Sequence, residues 1–534
     1  MSRPARALFV LAIAPLLCGT AATAAEPLHD RIDALIQARA DGRSASPLAD
    51  DAEFLRRVYL DLAGRIPSVE ETRAFLADPS PEKRPALIDR LLSGPDYPRR
   101  MAELFHVILM ERLGDHPAWT RYLRASFAAN KPWDQMAREI LRADPDDEAH
   151  RGAAFFLAKR LEHYGENPID YPGLAADVGR MFLGIDLRCA QCHDHIFIDD
   201  YKQRDFQGLF AFIQNTFLQD PKGPTVGEKP TTQKLSYTSV FTRKASETGP
   251  RLPGGEEVPI PSIPKGDEYR KPPDRKAGFP GRLRFSPLAE LAERLPVPEN
   301  RAFVRNSVNR LWQALMGRGL VHPPDQHHAD NPPSHPELLD LLADEFVAHR
   351  FDIQWLLREL ALSRTYQRSS LLPEDGEPPP PESFLTAIEK RLSAEQLLRS
   401  MLEATGQHDL ASAEEGPEFE ALRAKFLKAF ANPPREPEDE FNPSLRSALF
   451  VLNDETVLGW LAPRPGNLID RLAKQGDDRK VAEVLYLAVL TRPPTSEEQE
   501  EVASYLARNA ERRAVALGHL AWALLTSTEF CINH

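Results

Sequence analysis

The sequence predicts a mainly α-helical protein, with two helical domains joined by a Pro/Gly-rich connector that holds at most a small β-hairpin. Three observations predict this. Apolar residues recur at helical spacing up to about residue 216 and again from about 285, capping signals open several of those stretches, and the texture between them turns to Pro, Gly, Lys and Thr.

The first segment, residues 1–25, reads as a secretory signal peptide. Arg3 and Arg6 precede an apolar run from Ala7 to Leu17, and the small residues Ala21-Ala22-Thr23-Ala24-Ala25 follow, which places cleavage near Ala24 or Ala25. The expected location is therefore periplasmic or secreted. Cys18 raises the idea of a lipoprotein, but the bulky Leu17 before it argues against one. No later segment approaches the roughly 20 continuous apolar residues of a spanning helix, so no transmembrane anchor is expected.

Residues 26–216 form the first expected helical domain, with Phe54, Leu55, Val58 and Leu62, then Leu87, Ile88, Leu91 and Leu92, at helical spacing. Ser68 and Glu71 have the spacing of a capping box, in which hydroxyl and carboxylate satisfy free backbone N–H groups. The connector, 217–284, carries the β-prone runs Leu235–Phe241 and Val258–Pro261, and proline restricts such runs to edge strands or loops. Residues 285–534 form the second helical domain, clearest at Phe303, Val304, Val308, Leu311, Trp312 and Leu315. Further capping boxes are expected at Ser334 with Glu337, Ser393 with Gln396 and Thr495 with Glu498, and the run Pro378–Pro381 divides this domain into two lobes.

Composition narrows the function. The formal net charge is -13 and no basic stripe with interleaved aromatics exists, which excludes nucleic acid as a partner. Beyond the signal only Cys189, Cys192 and Cys531 remain, too few for a disulfide framework. Cys531 is expected to be a buried or spare thiol.

The one chemically specific feature is Cys189-Ala190-Gln191-Cys192-His193. Two thiols at this spacing add to the vinyl groups of a haem, and the histidine that follows delivers its imidazole to the iron. Such attachment happens outside the bacterial cytoplasm, so motif and export signal agree. Cys189, Cys192 and His193 are the expected haem c ligands, provided the folded chain leaves a hollow big enough for the macrocycle beside them; without one, only an exported helical scaffold remains. A second axial ligand is harder to find. The next methionine downstream is Met316, Met181 is expected to face the core beside Phe182 and Leu183, and His195 lies too close to His193 to reach the opposite face. This leaves His163 as sixth ligand or an open, five-coordinate iron. Two other readings stay open: Cys189, Cys192, His193 and His195 can hold zinc, or the two cysteines can form a local disulfide or remain free thiols.

His322, His327, His328 and His335, with Asp325 and Asp330, read either as a metal site or as ordinary polar loop residues before a helix. Asp199, Asp200 and Asp205 read as acid/base groups or ion ligands, or as a solvated turn and helix start, and the stretch Glu414–Arg423 as an exposed helix face. A phosphate loop, a nucleophile elbow and a zinc-protease helix are all absent.

Several runs resemble a known family. Phe54-Leu-Arg-Arg-Val-Tyr-Leu-Asp-Leu62, Phe182-Leu-Gly-Ile-Asp-Leu-Arg-Cys-Ala-Gln-Cys-His-Asp-His195 and Asp205-Phe-Gln-Gly-Leu-Phe-Ala-Phe212 are similar to the planctomycete-type cytochrome-like secreted domain. Val308-Asn-Arg-Leu-Trp312, Gly317-Arg-Gly-Leu-Val321, Pro333-Ser-His-Pro-Glu-Leu-Leu339 and Ser363-Arg-Thr-Tyr366 resemble its companion secreted domain. The resemblance implies an exported protein whose Cys189, Cys192 and His193 match the family motif. Ile196 stands where the family usually has proline, and no tryptophan lies near Tyr201. The expected function is that of an exported c-type cytochrome-like protein, in electron transfer or redox sensing with a redox or surface protein partner. The alternatives are a non-redox binding or scaffold protein and, from family neighbourhood alone, an accessory protein or hydrolase in the use of sulfated polysaccharide.

Overall fold

The computed structural model describes residues 26–163, 165–220, 222–373, 377–412, 416–436, 450 and 453–534. The signal segment with Cys18, and Glu414, lie outside the described residues. The fold is mainly helical, at 53% helix, and among the described residues its strands form only two-stranded sheets. Among the described residues no helix is long and apolar enough to cross a membrane.

The apolar periodicity becomes burial. Phe54, Leu55, Val58 and Leu62 are fully buried on the helix Asp51–Leu62, as are Phe303, Val304, Val308 and Trp312 on the helix Arg301–Met316. Three of the four expected capping boxes form, at Ser68, Ser393 and Thr495. The fourth does not: the helix there starts at Pro336, with His335 as its N-cap, and the Ser334 hydroxyl meets His335 instead. Proline at the first helical position needs no N–H partner, and this shifts the start past Ser334.

The connector contains three hairpins where at most one was expected. Strands β1 (Thr216–Asp220) and β2 (Thr225–Glu228), β3 (Leu235–Thr238) and β4 (Ala245–Thr248), and β5 (Tyr269–Lys271) and β6 (Arg282–Leu283) pair antiparallel. The run Leu235–Phe241 is strand only to Thr238, so Val240 and Phe241 stand in the turn; Val258–Pro261 forms no strand.

The apolar core divides elsewhere than the sequence boundaries. One cluster runs from Leu28 to Leu385 and includes both the first helices and residues 288–385. The second gathers residues 392–530 with Leu60, Ile66 and Val69. The core therefore breaks just past the proline run, and the helix Asp51–Leu62 lies between the two clusters. Buried from Phe54 to Leu62, it sends Arg56 to the carbonyls of Val489 and Phe530, and Arg57 to those of Tyr366 and Arg368. A helix buried on all sides must place even its polar side chains on partners. Strands β7 (Lys390–Arg391) and β8 (Ile532–Asn533) pair across the same junction.

Candidate functional site

The helix Tyr171–Val178 runs into one turn of π-helix, Gly179–Leu183, which ends at Gly184 in the left-handed region. Met181, Phe182 and Leu183 are buried, as the sequence predicts for Met181. Gly184 is required twice over. Its φ is +70°, and a Cβ there would lie 2.7 Å from the His327 ring and 2.8 Å from the Asn306 side chain.

The cysteine motif follows on a short 3-10 turn, Arg188–Gln191, and the helix Gln203–Ile213 holds it from behind. The side chains of Gln203 and Gln207 donate to the Gln191 carbonyl at 3.3 and 2.7 Å, and the Asp194 carboxylate accepts the Gln203 backbone N–H at 2.9 Å. Satisfying these loop groups from one helix leaves the reactive atoms outside. Cys189 and Cys192 are exposed and unbonded, so the disulfide alternative is not formed. The His193 Nδ1 lies 2.6 Å from the Asp194 carbonyl. A carbonyl only accepts, so Nδ1 carries the proton and the ligating lone pair remains on Nε2, the arrangement usual for metal-bound imidazole.

The remaining sequence candidates make contacts of their own. The His195 Nδ1 accepts the backbone N–H groups of Phe197 and Ile198, and its ring meets Tyr201 edge-on at 6.0 Å. The four proposed zinc donors are not gathered: among the described residues no three His, Cys, Asp or Glu side chains converge as a metal would need. His163 is exposed and lies 3.4 Å from the Asn167 carbonyl; no hydrogen bond or ring contact links it to the motif. Asp205, read as a solvated or acid/base residue, is instead buried, accepting Arg251 at 3.0 Å and the Gly254 N–H at 3.2 Å. Cys531 is largely buried and carries no disulfide, and burial raises its pKa.

Sequence reasoning missed the surroundings of the motif. Ile196 is 64% exposed, Phe197 84%, Val240 57% and Phe241 65%, so four of the nine large apolar side chains left exposed among the described residues border this one segment. The Val240 N–H donates to the Cys192 carbonyl at 3.1 Å, and the Phe241 ring lies 4.3 Å from the His193 ring. The available signal was an apolar pair in a turn. The motif thus borders an open, apolar-edged surface; two cavities among the described residues lie elsewhere, one beside Arg57, Tyr366 and Lys390 and the other beside Thr231 and Phe285.

A second layer behind the motif joins the two halves of the chain. His327 donates its backbone N–H to the Gly184 carbonyl at 2.9 Å, Ala329 donates to Asp200 at 2.6 Å, and the His328 ring meets Tyr201 at 5.5 Å. The histidine-rich loop is therefore a neighbour of the motif segment, although its four histidines gather no metal set. Burial, reinforced by the Arg310 and Arg305 cations, pushes His327 down to about 4. Deeper still, fully buried Asp177 holds Arg160 at 2.7 Å and Arg180 at 2.9 Å, and Arg180 also binds Glu111 and Asp325. Burial alone would raise the pKa of Asp177, but the two cations outweigh it and keep the carboxylate below its usual range.

Comparison with known proteins places these residues in context. Residues 31–217 match the model of PSCyt2, described as a protein of unknown function (DUF1549), and residues 288–440 match that of PSD1, likewise described as a protein of unknown function (DUF1553). Neither a curated protein nor a solved structure matches the chain. The chain thus carries a match to PSCyt2 followed by a match to PSD1, in the order that the sequence resemblance implies.

Proposed function

We propose that this is an exported c-type cytochrome-like protein in which Cys189 and Cys192 tether a haem and His193 supplies its axial imidazole. The observation that carries the reading is the donor set: two free, exposed thiols at the attachment spacing beside an imidazole whose Nδ1 is held by a carbonyl, which leaves the lone pair on Nε2. Each thiol would add its sulfur and its hydrogen across one vinyl double bond, with no net oxidation. The bound group would supply one-electron redox chemistry. The residues fit it in a second respect, because exposed Ile196, Phe197, Val240 and Phe241 offer apolar contact to a flat macrocycle on an open surface. The iron's remaining position would be filled by His163 or left open. The role would be electron transfer or redox sensing in the periplasm.

The test is a pyridine-haem spectrum on protein exported from cells with active attachment machinery. About one covalent haem per chain is expected, and Cys192→Ala should abolish the band that survives denaturation. A colourless wild-type protein overturns the reading. The same exposed apolar border supports a second reading, a non-redox binding protein that docks a partner over the motif. Elemental analysis separates the two, since iron at one equivalent fits only the first.

A further inference from the structure

The hairpin β3–β4 belongs to the segment that neither family model covers, between residues 217 and 288. Its turn nevertheless sits on the motif. Turn tips ordinarily carry small or polar residues, since nothing there is packed. Here the tip carries Val240 and Phe241, both more than half exposed, in direct contact with Cys192 and His193 respectively.

The contact is built and not incidental. The helix Gln203–Ile213 holds the motif through Gln203 and Gln207, and the same helix holds the hairpin. The Gln203 side chain also donates to the Thr238 carbonyl at 3.4 Å, at the end of β3. Just past β4, Arg251 pairs with Asp205 at 3.0 Å and donates its backbone N–H to the Gly208 carbonyl at 3.1 Å. Gly208 allows that approach, because a Cβ there would lie 2.4 Å from the Arg251 side chain and 3.0 Å from its carbonyl. One helix therefore fixes motif and hairpin tip in a common frame.

We infer that the β3–β4 tip is a working part of the cysteine-motif site: Phe241 is a positioning residue for the His193 imidazole, and with Val240 it forms an apolar wall for a porphyrin tethered at Cys189 and Cys192. This inference rests on the haem reading for its occupant. The wall has a chemical consequence. An apolar border on the imidazole side of the porphyrin would keep water from that face and favour the less charged, reduced state, and a ring laid against the imidazole restricts its rotation.

The experiment compares wild type with Phe241→Ala and Phe241→Leu in the full-length exported protein. Covalent haem per chain is measured by the pyridine-haem spectrum, the midpoint potential by redox titration, and the His193 ring resonances by NMR of histidine-labelled, haem-free protein, assigned with His193→Gln. In Phe241→Ala we expect a lower midpoint potential, or a haem load at least about twofold lower, together with loss of the ring-current shift at His193. Phe241→Leu should restore the potential and the haem load but not the ring-current shift. Both variants alter an exposed side chain, so folding is not at stake. A coloured wild type whose Phe241→Ala variant matches it in haem load and midpoint potential overturns the inference and leaves the haem reading standing. A colourless wild type overturns the haem reading, and the porphyrin wall with it.

Discussion

Two polar regions lie within one stretch of chain and use their chemistry in opposite ways. Around Asp177 the charged groups pair with one another: buried Arg160 and Arg180 and exposed Arg435 surround a single buried carboxylate, and Glu111 and Asp325 complete the set. A dozen residues on, around Cys189, the thiols and imidazole are left outside, while apolar side chains that could have been buried stand beside them. The lesson is that a strongly perturbed ionisable group is poor evidence of function when it is fully paired. Reactive groups left unpaired beside a stretch of exposed apolar surface are better evidence.

This comparison can be broken. Replacing Asp177 by Asn leaves Arg160 buried without its carboxylate, and removing one partner of a buried pair costs about 3–5 kcal/mol. The expected result is a large fall in the urea midpoint with no change in haem per folded chain. Loss of haem from protein that remains folded would mean that the network belongs to the site.

His327 stands between the two regions and sharpens the contrast. Its folded-state pKa of about 4 lies below the roughly 6.5 of an unfolded histidine, so the fold prefers the neutral ring. Between these values the unfolded chain binds more protons. The contribution of His327 is therefore complete above about pH 6.5 and is lost as pH falls towards 4. Wild type should lose on the order of 1–3 kcal/mol more than His327→Gln over that window, read from urea midpoints at each pH. Equal slopes would show that the ring is not held neutral by its burial.

The smallest effect is expected on the exposed side. Phe197→Ser removes a ring that is 84% exposed, and a surface substitution of this kind usually changes stability by less than about 0.5 kcal/mol. A loss above about 1 kcal/mol would show that Phe197 is packed after all, and would weaken the reading of this surface as one kept open for a ligand.

Buried contacts also tie the two matched segments of this chain to each other. The runs that carry the family resemblance meet across the halves. Asp61, in the run Phe54–Leu62, accepts the hydroxyl of Tyr366, in the run Ser363–Tyr366, at 2.9 Å, and also Lys390 at 2.6 Å. Arg310, in the run Val308–Trp312, donates to the Arg180 carbonyl at 2.7 Å, and Asn306 donates to the Met181 carbonyl at 2.8 Å, beside the run that opens at Phe182. Each half holds the polar groups of the other, so neither buries its core alone.

The sequence by itself determined the helical class, three of the four capping boxes, the burial of residues such as Phe54 and Trp312, and the identity of the motif. All of these depend on spacing within a few residues, which chain order preserves. Only the tertiary structure decided that residues 288–385 share a core with the first helices, that the helix near Ser334 starts at Pro336, and that Val240 and Phe241 border a motif some fifty residues earlier. It likewise decided that His195 turns to its own backbone. These outcomes depend on which distant groups compete for the same hydrogen bond or the same surface, and that competition exists only once the chain has folded.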